Sequence, residues 1–281
     1  METNWYSFQL CTEAKRLPSK IVTLTSDFGL RDTYVAEVKA VILSLYPKAI
    51  IVDVTHEIEK FNIRMGAFVL SSAVQYFPKG TVHVAVVDPG VGTQRRSILI
   101  QTRQGFFVGP DNGLLILAAE KQGVISIHEI TNPKLMLPTV SSTFHGRDVF
   151  APAAAHLANE VPPGDFGPEI RDVVKPKFRK VKISKGALIG EVLHVDGFGN
   201  VITNVNEKYM TQLHSGAWIT AELPNRNLRL KFGKTYAEAQ PKEALALIGS
   251  HGYVELAINQ GNAAGTFHAK AGDMIKLTLS S

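Results

Sequence analysis

The sequence predicts an α/β protein: an N-terminal α/β domain with a largely parallel central sheet, followed by a smaller all-β barrel or sandwich. Two observations carry this. Up to about residue 160, β-branched runs alternate with stretches of helical periodicity across short connections. From about Gly186 onward, only short alternating segments separated by glycine-rich turns remain. Strand, helix, strand, helix, strand argues for right-handed βαβ crossovers. Short, regularly spaced strands argue for a closed or sandwiched sheet.

Taken in order, Ile21-Val-Thr-Leu-Thr25 is a β-branched run ending at the polar turn Ser26-Asp-Phe-Gly29. Asp32 is a candidate cap for a helix in which Tyr34, Val38, Val41 and Leu45 recur at helical spacing. Pro47 stops that helix, since its ring and missing N–H cannot continue the ladder. Ile50-Ile-Val-Asp-Val54 is a second strand, apolar almost throughout, as a sheet covered on both faces requires. Asn62 opens a second helix with Ile63, Ala67, Leu70, Val74 and Phe77 on one face. Thr81 to Val87 is a third strand, and further strands are expected over Ser97 to Thr102 and Gly105 to Val108. A helix from about Val149 to Asn159 tolerates Pro152 in its first turn. In the second half, strands are expected over Leu188 to Val195, Val201 to Val205, Ala217 to Leu223, Leu228 to Phe232, Val254 to Ile258 and Met274 to Leu279. Two domains, 21–180 and 186–281, meet near residues 180 to 186, behind an N-terminal extension over residues 1–20.

Bulk properties exclude several classes. The 281 residues are 45% hydrophobic and 20% charged, the balance of a globular protein with one large or two ordinary cores. No apolar run approaches the ~20 residues of a membrane helix, so no membrane partner is expected. The first twenty residues lack the apolar stretch and cleavage site of a secretory signal. A single cysteine, Cys11, excludes an intrachain disulfide framework and a multi-cysteine metal cluster, and points to a cytoplasmic setting. The formal charge of +5 is densest in Lys175-Pro-Lys-Phe-Arg-Lys-Val-Lys-Ile-Ser-Lys185. That run lies between the two halves and carries no recognition motif, so it reads as a solvated linker rather than a nucleic-acid site.

In open parallel sheets, ligands bind beyond the carboxyl ends of the strands. Three polar elements fall there: Thr25-Ser-Asp-Phe-Gly29, Asp53-Val-Thr-His56 and Asp88-Pro-Gly-Val-Gly-Thr93. The loop Ser141-Ser-Thr-Phe-His-Gly-Arg-Asp148 adds a fourth. Asp27 could hold a turn or accept a ribose diol, the role acidic residues play in nucleotide-binding folds. Gly90 and Gly92 would let backbone approach a ligand closely. Neither a P-loop nor a G-x-G-x-x-G fingerprint is present. Residues alone therefore define a polar pocket and leave its reaction open. A metal-dependent phosphohydrolase using Asp27, Asp53, His56, Asp88 and His145 fits them, as does a non-catalytic binding module.

Together with Pro110-Asp-Asn-Gly113, Asp196-Gly-Phe-Gly-Asn200 and Gly249-Ser-His-Gly-Tyr253, these motifs resemble, in order, the S-adenosyl-L-methionine (SAM) hydroxide adenosyltransferases. These adenosine-forming SAM hydrolases are related to the fluorinase and chlorinase enzymes. The resemblance runs from about residue 21 to 281. It implies an α/β domain, a C-terminal β-barrel, and a homotrimer with sites between neighbouring subunits. It implies hydrolysis of SAM to adenosine and L-methionine without cofactor or metal. It also implies roles: Asp88, Arg95 and His145 match the water-activating triad, and Asp27 the ribose-diol ligand. Asp196, Phe198 and Asn200 match the methionine and adenine side, completed by Ser250 and the Asn259 region. Phe61 stands where the halogenases carry a tryptophan. As the resemblance is read, a halogenase tyrosine stands where this chain has Asp88, and a carboxylate there repels halide and favours water. Arg96, next to Arg95, is the alternative partner for Asp88.

Overall fold

The computed structural model describes residues 20–210 and 215–280. The expected N-terminal extension, up to residue 19, and Cys11 lie outside the described residues. The first half runs β1 (Ile21–Ser26), α1 (Tyr34–Leu45), β2 (Ile50–Thr55), α2 (Ile63–Ala73), β3 (Thr81–Val86), β4 (Ser97–Thr102), β5 (Gly105–Pro110), α3 (Ile116–Gln122), β6 (Val124–Glu129) and α4 (Ala151–Ala158). Its six strands lie in the order β2-β1-β3-β5-β4-β6. The pairs β1–β2, β1–β3 and β3–β5 are parallel, whereas β4 runs antiparallel to both of its neighbours. The largely parallel sheet is as expected.

Both faces of this sheet are covered, which explains the continuous apolar strands. Val82, Val84 and Val86 of β3 pack with Val38 and Ile42 of α1 and the alanine-rich α4. Ala85 and Val87 point the other way, to Leu70 of α2, to Leu115 just before α3, and to Ala118 and Ala119 of α3. At ~25 cal/mol per Å² of apolar surface removed from water, these two layers dominate the stability of the half. Asn62 does cap α2, its side chain accepting the Met65 N–H at 2.9 Å. Asp32 does not cap α1; the preceding position is Thr33, whose hydroxyl instead donates to Glu37. The buried face of α1 is Val35, Val38 and Ile42, while Tyr34 and Leu45 are exposed. The fourth helix begins earlier than expected, with a π-helical turn over Gly146–Phe150.

The second half contains β7 (Lys182–Ser184), β8 (Ala187–Val195), β9 (Val201–Asn206), β10 (Trp218–Leu223), β11 (Arg226–Phe232), β12 (Ala244–Ile248), β13 (Tyr253–Ile258), α5 (Ala263–Phe267) and β14 (Met274–Ser280). The order β14-β10-β11-β12-β13-β9-β8 closes on itself through β14–β8 pairing, and β7 adds to the outside of β8. Closure makes this a seven-stranded barrel and not a sandwich. The β11–β12 pair is parallel. Val192, Val205, Ile219, Leu256 and Ile275 fill its interior.

The basic segment between the halves is pinned rather than free. The Val174 N–H donates to Asp111, Lys175 pairs with Glu120, and the Arg179 N–H donates to Glu191 at 2.6 Å. Helix α2 meets the barrel directly: Phe68 packs against Leu193 and Ile202, and Arg64 reaches Glu191 at 2.8 Å. Among the described residues no helix is long and apolar enough to cross a membrane.

Candidate active site

The order β2-β1-β3 places the loops after β1, β2 and β3 side by side at the carboxyl edge of the sheet. The loop after β3 doubles back on itself. Val91 N–H donates to the Asp88 carbonyl, and Thr93 closes on Gly90 through both its N–H and its hydroxyl. This reversal returns the chain so that Arg95 faces Asp88. Gly92 has φ +77°, and a Cβ there would collide with the Ser142 carbonyl oxygen, so this loop lies directly on the one before α4.

Arg95 Nε lies 3.0 Å from both carboxylate oxygens of Asp88, and Nη2 lies 2.6 Å from Oδ2. The same Nη2 lies 2.8 Å from His145 Nδ1, while Nη1 donates to Ser97 and the guanidinium stacks on Phe150. One guanidinium is therefore wedged between the carboxylate and the imidazole. Arg96 points away and is occupied by Asp111 and Asp172, so of the two arginines it is Arg95 that reaches Asp88. A guanidinium only donates, so Nδ1 of His145 must accept, and the proton of the neutral ring sits on Nε2. Burial lowers the His145 pKa, and Arg95 lowers it further, against the opposite pull of Asp88 and Asp148.

His145 stands at the start of the π-helical turn, a rare geometry often found at functional sites. Its loop is stapled by Asp148, wholly buried, which accepts the Ser141 N–H at 2.8 Å and pairs with Arg147 at 2.7 Å. Arg147 also reaches Glu37 on α1.

Asp88 and His145 line a cleft of about 360 Å³ together with Asp27 and Phe61. Asp27 Oδ2 accepts the Phe61 N–H at 2.9 Å, and among the described residues no hydrogen bond reaches Oδ1. Phe61 is 69% exposed and takes φ +65°. Phe144 meets both Phe28 and Tyr34 edge to face, and the three form an aromatic wall that the sequence reading missed.

Asp53 and His56 stand apart from this cleft. Ser26 Oγ is 2.7 Å from His56 Nδ1, and His56 Nε2 is 3.1 Å from Asp53 Oδ1. Lys39 pairs with Asp53 Oδ2 at 2.6 Å. Partial burial pushes the Asp53 carboxyl up, but hydrogen bonds from Lys39 and His56 outweigh it and hold the carboxyl low. This row braces the loop that carries Asp27, because Ser26 Oγ also accepts the Phe28 N–H. The five candidate metal ligands are thus divided, with Arg95 filling the space between Asp88 and His145. Among the described residues no three His, Cys, Asp or Glu side chains are grouped to hold a metal ion.

The remaining candidates fall in a second cleft, of about 610 Å³, in the barrel half: Asp196, Phe198, Asn200, Ser250 and Asn259. Asp196 Oδ1 accepts the N–H groups of Phe198 and Asn200, and Oδ2 accepts from the Asn200 amide. Its carboxylate thus sets the turn that leaves Phe198 82% exposed. The Asn259 amide donates to the Ala239 carbonyl. Among the lining residues that escaped the sequence reading are Tyr236 and Glu255. A signal existed for the second: it is the lone charge in the apolar strand Tyr253-Val-Glu-Leu-Ala-Ile258.

Comparison with known proteins matches these two halves separately. The family model of the SAM hydroxide adenosyltransferase N-terminal domain matches residues 22–167, and that of the C-terminal domain matches residues 190–276. The chain belongs to the SAM hydroxide adenosyltransferase family. It is 40% identical over 265 residues to an (R)-S-adenosyl-L-methionine hydrolase of Salinispora arenicola, covering 92% of this chain and 97% of that one. A protein of the same name from Methanocaldococcus jannaschii is 39% identical, covering 86% and 90%. A fluorinase of Actinoplanes sp. is more distant, at 31% over 92% and 97%. Among solved structures, an uncharacterized conserved protein from Thermotoga maritima superposes with a TM-score of 0.87 at 38% identity, covering 92% and 99%.

Proposed function

We propose that this member of the SAM hydroxide adenosyltransferase family hydrolyses S-adenosyl-L-methionine to adenosine and L-methionine. The observation that carries this is the Asp88–Arg95–His145 wedge at the wall of a cleft that also presents a free oxygen of Asp27. The names of the relatives support it and specify the (R) form as the substrate.

In this reading Asp27 Oδ1 takes a ribose hydroxyl and the aromatic wall covers the nucleoside. A water on the cleft side of the wedge, within reach of the Asp88 carboxylate and His145 Nε2, attacks C5′. The C5′–S bond breaks, its electron pair leaves with sulfur, and methionine departs as a neutral thioether that needs no proton. The water's proton passes to the Asp88 carboxylate. Arg95 fixes that carboxylate through its donors. His145, holding its proton on Nε2, donates to the water and orients it, so Asp88 is the base and His145 is not a second one. Alignment of this kind supplies up to ~7–11 kcal/mol, and a positioned base a further ~10²–10⁴-fold. Neighbouring copies of the chain bring the barrel cleft of one subunit to the triad cleft of the next in a homotrimer. The reaction proceeds without cofactor or metal, as the resemblance implies, and in the cytoplasm, the setting to which the single cysteine points.

The deciding experiment incubates the chain with each sulfonium epimer and separates the products by chromatography. Adenosine and methionine released from the (R) form, with Asp88→Ala inactive but still binding, is the expected result. Intact substrate in every reaction points to a sensor, and turnover lost to a chelator and restored by added metal points to a phosphohydrolase-type site.

A further inference from the structure

The barrel cleft contains a carboxylate for which the proposed chemistry has no task. Glu255 sits in the middle of β13 and is only 4% exposed, yet it lines the cleft. Its Oε1 accepts the Tyr236 hydroxyl at 2.6 Å. Among the described residues no hydrogen bond reaches its Oε2. That oxygen lies where a Cβ on Gly249 would collide with it, so glycine at 249 keeps its place open. Asp196 and the imidazole of His251 line the same cleft, and among the described residues no lysine or arginine does. Burial pushes the Glu255 carboxyl up, against the pull of the Tyr236 hydroxyl, and Asp196 pushes it further. Two carboxylates facing one concavity without a lysine or arginine leave a site that a positive ligand group would satisfy and a neutral one would not.

We propose that Glu255, oriented by Tyr236, is a specificity-determining residue that receives the α-ammonium group of the ligand in the barrel cleft. This rests on the reading of S-adenosyl-L-methionine as substrate. That molecule carries one primary ammonium, whose three N–H donors can serve Glu255 Oε2 and Asp196 together. The purine amino group also donates, but it carries no charge to set against two carboxylates. Tyr236 acts as a positioning residue, since its hydroxyl fixes which oxygen of Glu255 stays free.

The test compares wild type, Glu255→Gln and Tyr236→Phe on S-adenosyl-L-methionine and on the analogue lacking the α-amino group. Turnover and calorimetric binding are both measured on the full chain. For Glu255→Gln the expected result is a rise of about 10- to 100-fold in KM and Kd for the amino substrate, the worth of one charge-assisted hydrogen bond, with the loss falling on KM rather than kcat. The analogue should bind wild type and variant equally weakly. Tyr236→Phe should show a smaller loss that likewise vanishes with the analogue. Equal losses on both ligands would reveal a merely structural glutamate and overturn the proposal, as would an unchanged affinity for the amino substrate. A penalty that follows removal of the purine amino group, tested with the S-inosyl compound, overturns it too. Absence of adenosine with wild type would count against the hydrolase reading alone, because the binding comparison still decides the role of Glu255.

Discussion

Replacing Arg95 by Met should disable the protein twice, once in stability and once in chemistry. The Arg95 side chain is 10% exposed and that of Asp88 is 5%. Three donor–acceptor contacts of 2.6 to 3.0 Å join them. Met keeps much of the stem over Phe150 but leaves the carboxylate buried without its partner. Breaking a buried pair in this way costs about 3–5 kcal/mol. At ~2–4 °C per kcal/mol for chains of roughly this size, the melting temperature should fall on the order of 10 °C. Removing Asp88 alone strands the guanidinium in the same manner. The double variant, Arg95→Met with Asp88→Ala, strands neither charge and should cost about 2 kcal/mol less than the sum of the singles. Denaturant unfolding of the four proteins measures that coupling, and adenosine release should be lost in all three variants. Single-variant costs that add to within ~0.5 kcal/mol would show that the pair is not held as described. Full turnover in Arg95→Met would remove the wedge from the mechanism.

Two further perturbations probe the scaffold. His83, buried on β3 beside Thr23, has its pKa pushed down to about 4 by burial. It folds neutral while the unfolded chain binds the proton near 6.5, so its contribution is complete above pH 6.5 and is lost as pH falls towards 4. The loss is about 3 kcal/mol, and His83→Gln should flatten stability across that window in pH-dependent unfolding. Gly92→Ala should drive the loop after β3 away from Ser142 and displace Arg95, lowering kcat by at least ~10²-fold through misalignment while the barrel retains its circular-dichroism signature.

The alternation of apolar strands with amphipathic stretches placed β1 to β5 and α1, α2 and α4 within a few residues, because a doubly covered sheet leaves a direct mark on its strands. Where elements draw stability from context, that mark fades. Val124–Glu129 has two exposed apolar residues and depends on β4 for its pairing, and Ala244–Ile248 is five residues long. Neither declared itself. The face of α1 was misjudged by one position because Tyr34 and Leu45 look as apolar as Val35 and Ile42 in a periodicity count. At the site, spacing showed which loops carry polar groups but not how they turn. That Arg95 meets Asp88 while Arg96 meets Asp111 depends on the double reversal at Gly90 and Gly92. That Asp53 and His56 bind each other and not a ligand depends on Lys39, fourteen residues before Asp53 on another element. Tyr236 lies in a short turn without periodicity and left no trace.

The row Ser26–His56–Asp53 carries a warning for any search by geometric template. Serine, histidine and aspartate stand there in a row, at 2.7 and 3.1 Å, as in hydrolases that work through an acyl-enzyme, and a pattern match would name Ser26 the nucleophile. Space argues otherwise. The void lined by Ser26 and His56 measures about 10 Å³, at the threshold for one water molecule and far below any ester. The hydroxyl is enclosed, and the charge row behind it serves as masonry for the loop that carries Asp27. What separates a machine from a buttress here is the volume in front of the oxygen, not the order of the residues behind it.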